Sequence, residues 1–432
     1  MKALLLAAAA MVAAPAWADT LAITGGTVAI GDGSAPIPNG TVVIRDGRVV
    51  AAGASVSVPP GARTLDATGK WVSAGMVAGF TTEGIQDAEG IEETDDSQAK
   101  NSPFNAAIDV STAINPDSQL IAVDRAGGVT RAVVAPVPGR SIFGGQGAVI
   151  DLGADMTPVT RARAFQFADL SENAADLAGG SRPAAYAMLR DALAQAEDYK
   201  RNPAGFGGRE RGSLVTRADA QALLPVLDGR MPLLVHVERR SDILQVLSLK
   251  RDYPQLKLVL EGVTEGWMVA REIAAAHVPV IAAALADLPA SFDSLAATES
   301  NVGRMEQAGV QVGIAGVDVS IEGGQRLLKQ FAGNLVAIAK VPGHAGLDWG
   351  HAFATISSGP AAALGLDGEI GSLRPGRRAD VVVWDGDPLE LASAPVAVFI
   401  DGVPQPLTNR QTRLRDRYLT PQEGALPKAY ER

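Results

Sequence analysis

Between about residues 75 and 365 short apolar runs alternate with amphipathic stretches, and this alternation constrains the fold more than any other feature of the chain. The runs at 129–135, 231–237, 256–260, 278–281 and 310–314 are rich in Val, Ile and Leu, as strands buried on both faces require. Stretches at 182–199, 241–250 and 266–276 read as helices between them. Strands alternating with helices imply a parallel sheet, and this many units favours a closed barrel over an open one.

The flanks have a different texture. Residues 21–65 read as short strands with turns, including Asp46-Gly47 between Thr41-Val42-Val43-Ile44-Arg45 and Arg48-Val49-Val50, a strong hairpin signal. Strand-like runs return at 379–384 and 395–400, the second closed by Asp401-Gly402. Neither flank carries enough apolar face to stand alone. Closing a barrel would bring residues 75 and 366 together, so the flanks are expected to join in one β-sandwich. The predicted organisation is a segment 1–18, a split β-domain at 19–74 and 366–408, a barrel at 75–365, and a polar surface tail at 409–432. The tail is expected to be helical over 410–418.

Residues 1–18 read as a secretory signal. Lys2 is the positive charge, 3–14 is unbroken apolar sequence, and Ala16-Trp17-Ala18 places small residues at the cleavage positions, which puts the mature N-terminus at Asp19. The apolar run is too short to span a bilayer, and no later stretch is long and apolar enough to do so. A soluble periplasmic or secreted protein is expected, with no membrane partner. With no cysteine the chain has no disulfide, no thiolate ligand and no cysteine nucleophile. A net charge of −10 without any Lys/Arg-dense block argues against nucleic acid as a partner.

Several strings resemble the amidohydrolase superfamily. Asp66-Ala67-Thr68-Gly69-Lys70-Trp71-Val72-Ser73-Ala74-Gly75-Met76-Val77 is similar to that family's entry into its barrel. Ile370-Gly371-Ser372-Leu373-Arg374-Pro375-Gly376, Ala379-Asp380-Val381-Val382-Val383 and Asp385-Gly386-Asp387-Pro388-Leu389 resemble its exit. Ala126-Gly127-Gly128-Val129-Thr130, Gly144-Gly145-Gln146-Gly147 and Leu258-Val259-Leu260-Glu261 resemble the imidazolonepropionase-like and secreted bacterial branch. The resemblance implies an α/β fold, a TIM-type (β/α)8 barrel with a split β-sandwich. It also implies hydrolysis of amide-like carbon–nitrogen bonds by metal ions, normally zinc, at the C-terminal ends of the strands.

The family's ligand positions map onto few ligands here. The first-strand His-x-His falls on Phe80 and Thr82, and the aspartate before it on Ala78. Phenylalanine has no lone pair, and threonine is a weak ligand without a neighbouring chelator. The fifth-strand histidine is matched by His236, with Glu238 two residues on. The sixth-strand histidine position is Gly262, where a gap is expected. The final aspartate is matched by Asp318. The bridging residue of the fourth strand has no clear match. A catalytic zinc normally takes three protein ligands plus water, and the other histidines, His277, His344 and His351, lack partners at ligand spacing. The acidic residues Glu83, Asp87, Glu89, Glu92, Glu93, Asp95 and Asp96 read as a solvated loop.

Two readings follow. In one, the chain is a catalytically silent member that binds a small amide-like ligand, or pairs with an active homologue or a second copy of itself. In the other it remains a hydrolase, with His236 and Asp318 as a metal-free acid/base pair or as ligands of a single weakly held divalent ion. In both, Phe80, Thr82, Glu238 and Gly262 line the mouth and contact substrate, and these four are expected to converge there with His236 and Asp318.

Overall fold

A computed structural model describes residues 20–88, 91–206, 215–315 and 324–419. The expected signal segment, the Asp19 terminus, Glu89, Asp318 and the end of the tail lie outside the described residues.

The amino-terminal flank forms β1 (Thr20–Ala29), β2 (Ile37–Arg45), β3 (Arg48–Gly53), β4 (Arg63–Asp66) and β5 (Trp71–Ala74). Eight barrel strands follow: β6 (Met76–Thr81), β7 (Val129–Val134), β8 (Phe143–Asp151), β9 (Val159–Asp169), β10 (Leu233–Val237), β11 (Leu258–Gly262), β12 (Val280–Ala283) and β13 (Val312–Ala315). The chain then returns to the first sheet with β14 (Val381–Trp384), β15 (Pro395–Ile400) and β16 (Val403–Gln405).

The flanks share one eight-stranded sheet in the order β16-β15-β14-β5-β1-β2-β3, with β4 also on β1. The seam is β14 against β5, antiparallel from Val381↔Ala74 to Trp384↔Trp71. Both Asp-Gly signals make their turns. Asp46 and Gly47 have φ of 51° and 72°, Asp401 and Gly402 of 50° and 75°, which are the left-handed values a two-residue hairpin loop needs. Arg131 of β7 fastens the sheet to the barrel. Fully buried, it donates to both Asp380 carboxylate oxygens at 2.8 Å and to Asp401 at 2.8 Å.

The barrel sheet runs β6 to β13 in chain order. Its ends approach at Gly79, where a Cβ would stand 3.0 Å from the Ile314 carbonyl of β13. β8 is antiparallel to both neighbours. The cause is loop length: parallel strands need a crossover of a dozen or more residues, and the links 135–142 and 152–158 are too short to carry one. Elsewhere helices cover the sheet, among them Arg182–Arg201, whose Ala185, Leu189, Ala192, Leu193, Ala196 and Tyr199 make one buried stripe. Phe80, Phe165, Phe167, Leu234, Val259 and Ile281 fill the lumen. Among the described residues no helix is long and apolar enough to cross a membrane. The tail forms an exposed helix at Arg410–Leu419.

Candidate active site at the barrel mouth

Strand register builds the mouth. In parallel strands, residues in register point the same way and alternate residues share a face. Phe167, Leu234 and Val259 are in register on β9, β10 and β11 and lie in the luminal core. Two residues on, Asp169, His236 and Glu261 are in register on the same three strands. They form the next layer, at the C-terminal ends, where barrel chemistry resides.

His236 is the centre of this layer. Its Nδ1 lies 2.6 Å from Glu261 Oε2, and its Nε2 lies 3.7 Å from Glu238 Oε1. Burial alone would lower the imidazole's pKa. The charge and hydrogen bond of Glu261, reinforced by Asp169 and Glu238, outweigh it and push the pKa up to about 10. His236 is therefore an imidazolium at neutral pH, with 27 % of its side chain open to the mouth. Asp169 accepts from the Ser171 amide at 2.8 Å and the Asn173 side-chain amide at 3.0 Å. Glu238 accepts from the Thr264 amide at 2.7 Å, and burial raises its carboxyl above the usual range despite His236 beside it.

Gly262 differs from expectation. It leaves no gap, because a Cβ there would overlap the Glu238 carboxylate and stand 3.0 Å from His236 Cε1. Its φ is 83°, and Val263 follows at 57°. A β-branched residue in left-handed backbone is an outlier that costs on the order of 1–3 kcal/mol. It is held by Val263 N–H donating to Val237 at 2.9 Å and by the Asn301 amide donating to the Val263 carbonyl at 2.9 Å.

Of the other expected mouth residues, Phe80 sits one layer down in the lumen, its ring centroid 5.2 Å from that of Phe167. Thr82 is buried and bonds to Gln86 at 3.2 Å. Asp318 lies outside the described residues. The acidic run is not wholly a solvated loop. Glu83 is buried with both carboxylate oxygens unpartnered. Burial, then the Asp124 carboxyl, hold its carboxyl well above the usual range, and Arg125 offsets only part of this. His344 pairs with Glu299 at 2.7 Å, and His351 with Asp348 at 2.7 Å.

Two mouth residues escaped sequence reasoning, Glu261 and Asp169. Alternation reveals the first, because Val259 faces the lumen and so must Glu261, one residue before the position aligned with a family histidine. Asp169 ends the fourth barrel strand, for which sequence reasoning places no residue.

These side chains do not fit the family's binuclear centre. His236 is held at Nδ1 by Glu261, which leaves a single ring nitrogen, Nε2, toward the mouth. Phe80 offers no lone pair, and Glu238 fills the space an imidazole at 262 would need. Among the described residues no group of three or more His, Asp or Glu side chains is arranged to hold an ion.

Comparison with known proteins agrees on ancestry. The sequence profile of the amidohydrolase family matches residues 193–407. The amidohydrolase tasK of Hapsidospora irregularis is 45% identical over 62 residues, a stretch covering 14% of this chain and only 6% of that protein. Among solved structures, an amidohydrolase from Thermotoga maritima superposes with a TM-score of 0.77 at 23% identity, covering 90% of this chain and 100% of that one. Molinate hydrolase superposes with a TM-score of 0.53 at 19% identity, covering 95% and 98%. With the exit strings, the barrel and the two-flank sheet in place, the chain belongs to the amidohydrolase superfamily.

Proposed function

We propose that this chain is a non-hydrolytic member of the superfamily that binds a small amide-like molecule in its barrel mouth. One observation carries the reading: at the metal-binding level of the barrel the family histidine positions hold Phe80, Thr82 and Gly262, and the Glu238 carboxylate fills the space beside Gly262. His236 stands alone at that level: Glu261 holds its Nδ1, its Nε2 faces the mouth, and among the described residues no second and third ligand are arranged beside it to hold an ion. Its Nε2–H, 3.7 Å from Glu238, is beyond hydrogen-bond reach of that carboxylate. A donor and an acceptor thus stand side by side at the opening, as the carbonyl and N–H of an amide require. The apolar run and Ala16-Trp17-Ala18 of the expected signal at residues 1–18 support a site of action outside the cytoplasm. There the protein sequesters or presents its ligand, alone, as a pair, or beside an active homologue.

The test is metal content of the purified mature chain, measured together with turnover and binding of N-acyl amino acids and cyclic amides. The expected result is far less than one transition-metal ion per chain, no turnover, and saturable binding weakened by His236→Gln. Stoichiometric zinc, with hydrolysis lost in His236→Ala and Asp318→Asn, would overturn the reading in favour of a remodelled hydrolase.

A further inference from the structure

The opposite end of the barrel carries a cavity of about 1080 Å³, opening where β10, β11 and β12 begin. Its floor is apolar: Ala164, Val259 and Leu364 belong to the same luminal core as Phe80 and Leu234. Its walls carry Arg161, Arg163, Arg230, Lys250 and Lys257, and no Asp or Glu lines it. In a chain with 48 acidic residues against 38 basic ones, five cations around one basin are a local inversion of the overall charge.

Little nearby neutralises them. Arg163 reaches Asp109 at 3.6 Å, and Arg230 shares Asp228 with Lys200. Lys250 donates to the Ala276 carbonyl at 2.9 Å, which offsets no charge. Among the described residues Arg161 and Lys257 have no acidic partner within ion-pair distance. Cations gathered with too little counter-charge repel one another, and an anion relieves that repulsion.

The backbone is bent to build this wall. Between the pairs Val149↔Arg161 and Gly147↔Phe165, β9 spends more residues than β8, a bulge spanning 162–164. Arg163 within it has φ 49°, and His277, also lining the basin, has φ 50°. Bulges re-aim side chains, and left-handed non-glycine residues concentrate at ligand sites.

We propose that this basin binds a small amphipathic organic anion. Its apolar body rests on Ala164, Val259 and Leu364, and its carboxylate, sulfonate or phosphate group lies between Arg161, Lys257 and the neighbouring cations. The concavity and apolar floor favour a compact molecule over a flat membrane surface or an extended polyanion. The proposal concerns the end of the barrel away from His236 and does not depend on the fate of the mouth.

A matched pair of fluorescent probes tests it on the full mature chain: 8-anilinonaphthalene-1-sulfonate and N-phenyl-1-naphthylamine, the same body with and without the anion. The sulfonate is expected to bind at one site per chain and to weaken as salt rises. The neutral probe, and the sulfonate with an Arg161→Gln/Lys257→Gln variant, should each bind at least about tenfold more weakly. Both positions are exposed, and an unchanged melting temperature confirms that the variant is folded. His236→Gln should leave sulfonate binding unaltered. Equal affinity for the neutral probe would overturn the proposal, as would binding that survives the double variant but not His236→Gln. Inorganic phosphate displacing the sulfonate at equal affinity would overturn the amphipathic assignment. Sedimentation with phosphatidylglycerol vesicles through the same two residues would overturn the small-ligand one.

Discussion

The two ends of this barrel treat charge in opposite ways. At the mouth, Asp169, His236, Glu238 and Glu261 are wholly or largely buried and satisfy one another or nearby amides. At the base, Arg161, Arg163, Arg230 and Lys257 are exposed, and only some have partners. The apolar lumen between them, with Phe80, Phe167 and Leu234, separates the two electrostatically and sterically. A cluster whose charges are spent on each other is stabilised by its geometry and resists redesign. A ring of cations facing solvent contributes little to folding and keeps its attraction for a ligand.

The sharpest way to break this contrast is to try to restore the ancestral mouth. Gly262→His puts an imidazole back where the family has one, but the backbone is left-handed there and the space belongs to Glu238. A loss of about 3 kcal/mol or more is expected, from strain and overpacking together, with no gain of zinc. Denaturant unfolding and metal analysis check it. A variant of native stability that takes up one zinc per chain would show that the mouth is still plastic.

Glu261→Gln removes the partner of His236 and should cost roughly 1–3 kcal/mol near neutral pH, because the imidazolium loses a charge-assisted bond. The pH dependence gives the sign. His236 has a folded pKa of about 10 against an ordinary 6.5, so its pairing contributes fully below 6.5 and is lost as pH rises through about 10. Wild-type stability should decline across that alkaline window, and the gap between wild type and variant should close toward its upper end. A gap that stays constant would detach the stability from His236 ionisation.

Glu83 tests a smaller imbalance at the same end. Its carboxyl is raised above the unfolded value, so the folded chain holds a proton that the unfolded chain releases. Its contribution is favourable at acid pH and is lost as pH rises above about 4.5, the reverse of a salt-bridged carboxylate. Glu83→Gln should therefore gain about 1 kcal/mol at pH 8 and almost nothing at pH 4. Urea melts at the two pH values separate the cases. A loss at pH 8 would mean that the carboxylate has a charged partner.

How much of this was legible beforehand depended on whether local pattern or tertiary context decides. The two Asp-Gly turns and the Val-rich strands announce themselves through backbone preference and burial, so a barrel and the two-flank sheet follow from the chain alone, whereas the antiparallel β8 departs from the all-parallel sheet expected. β8 and β9 were harder. The run 143–151 is glycine-rich, and β9 begins with exposed Arg161 and Arg163, so neither shows the continuous apolar pattern of its neighbours. In the mouth, counting from a family motif pointed to Gly262, while strand alternation makes Glu261 the luminal residue. The burial of Glu83 could not be read from a neighbourhood of acidic residues that otherwise looks like solvated loop. Nor could the basin, whose cations come from three segments far apart in sequence.

The smallest effect expected belongs to the base, and it completes the comparison. Arg161→Ala and Lys257→Ala remove exposed side chains that hold no ion pair among the described residues. Surface changes of this kind usually fall within about 0.5 kcal/mol of wild type. The sign should be slightly favourable, because each removes a charge that its neighbours repel, and that relief should fade as salt shortens the Debye length. Unfolding free energies of the two single variants and the double variant, at low and high ionic strength and without any anionic additive, measure it directly. Neutral or slightly positive changes at low salt, vanishing at high salt, are the behaviour of cations kept available for a ligand. A loss above about 1 kcal/mol that is insensitive to salt would mean that these side chains pack into the fold, since screening acts on charge and not on packing.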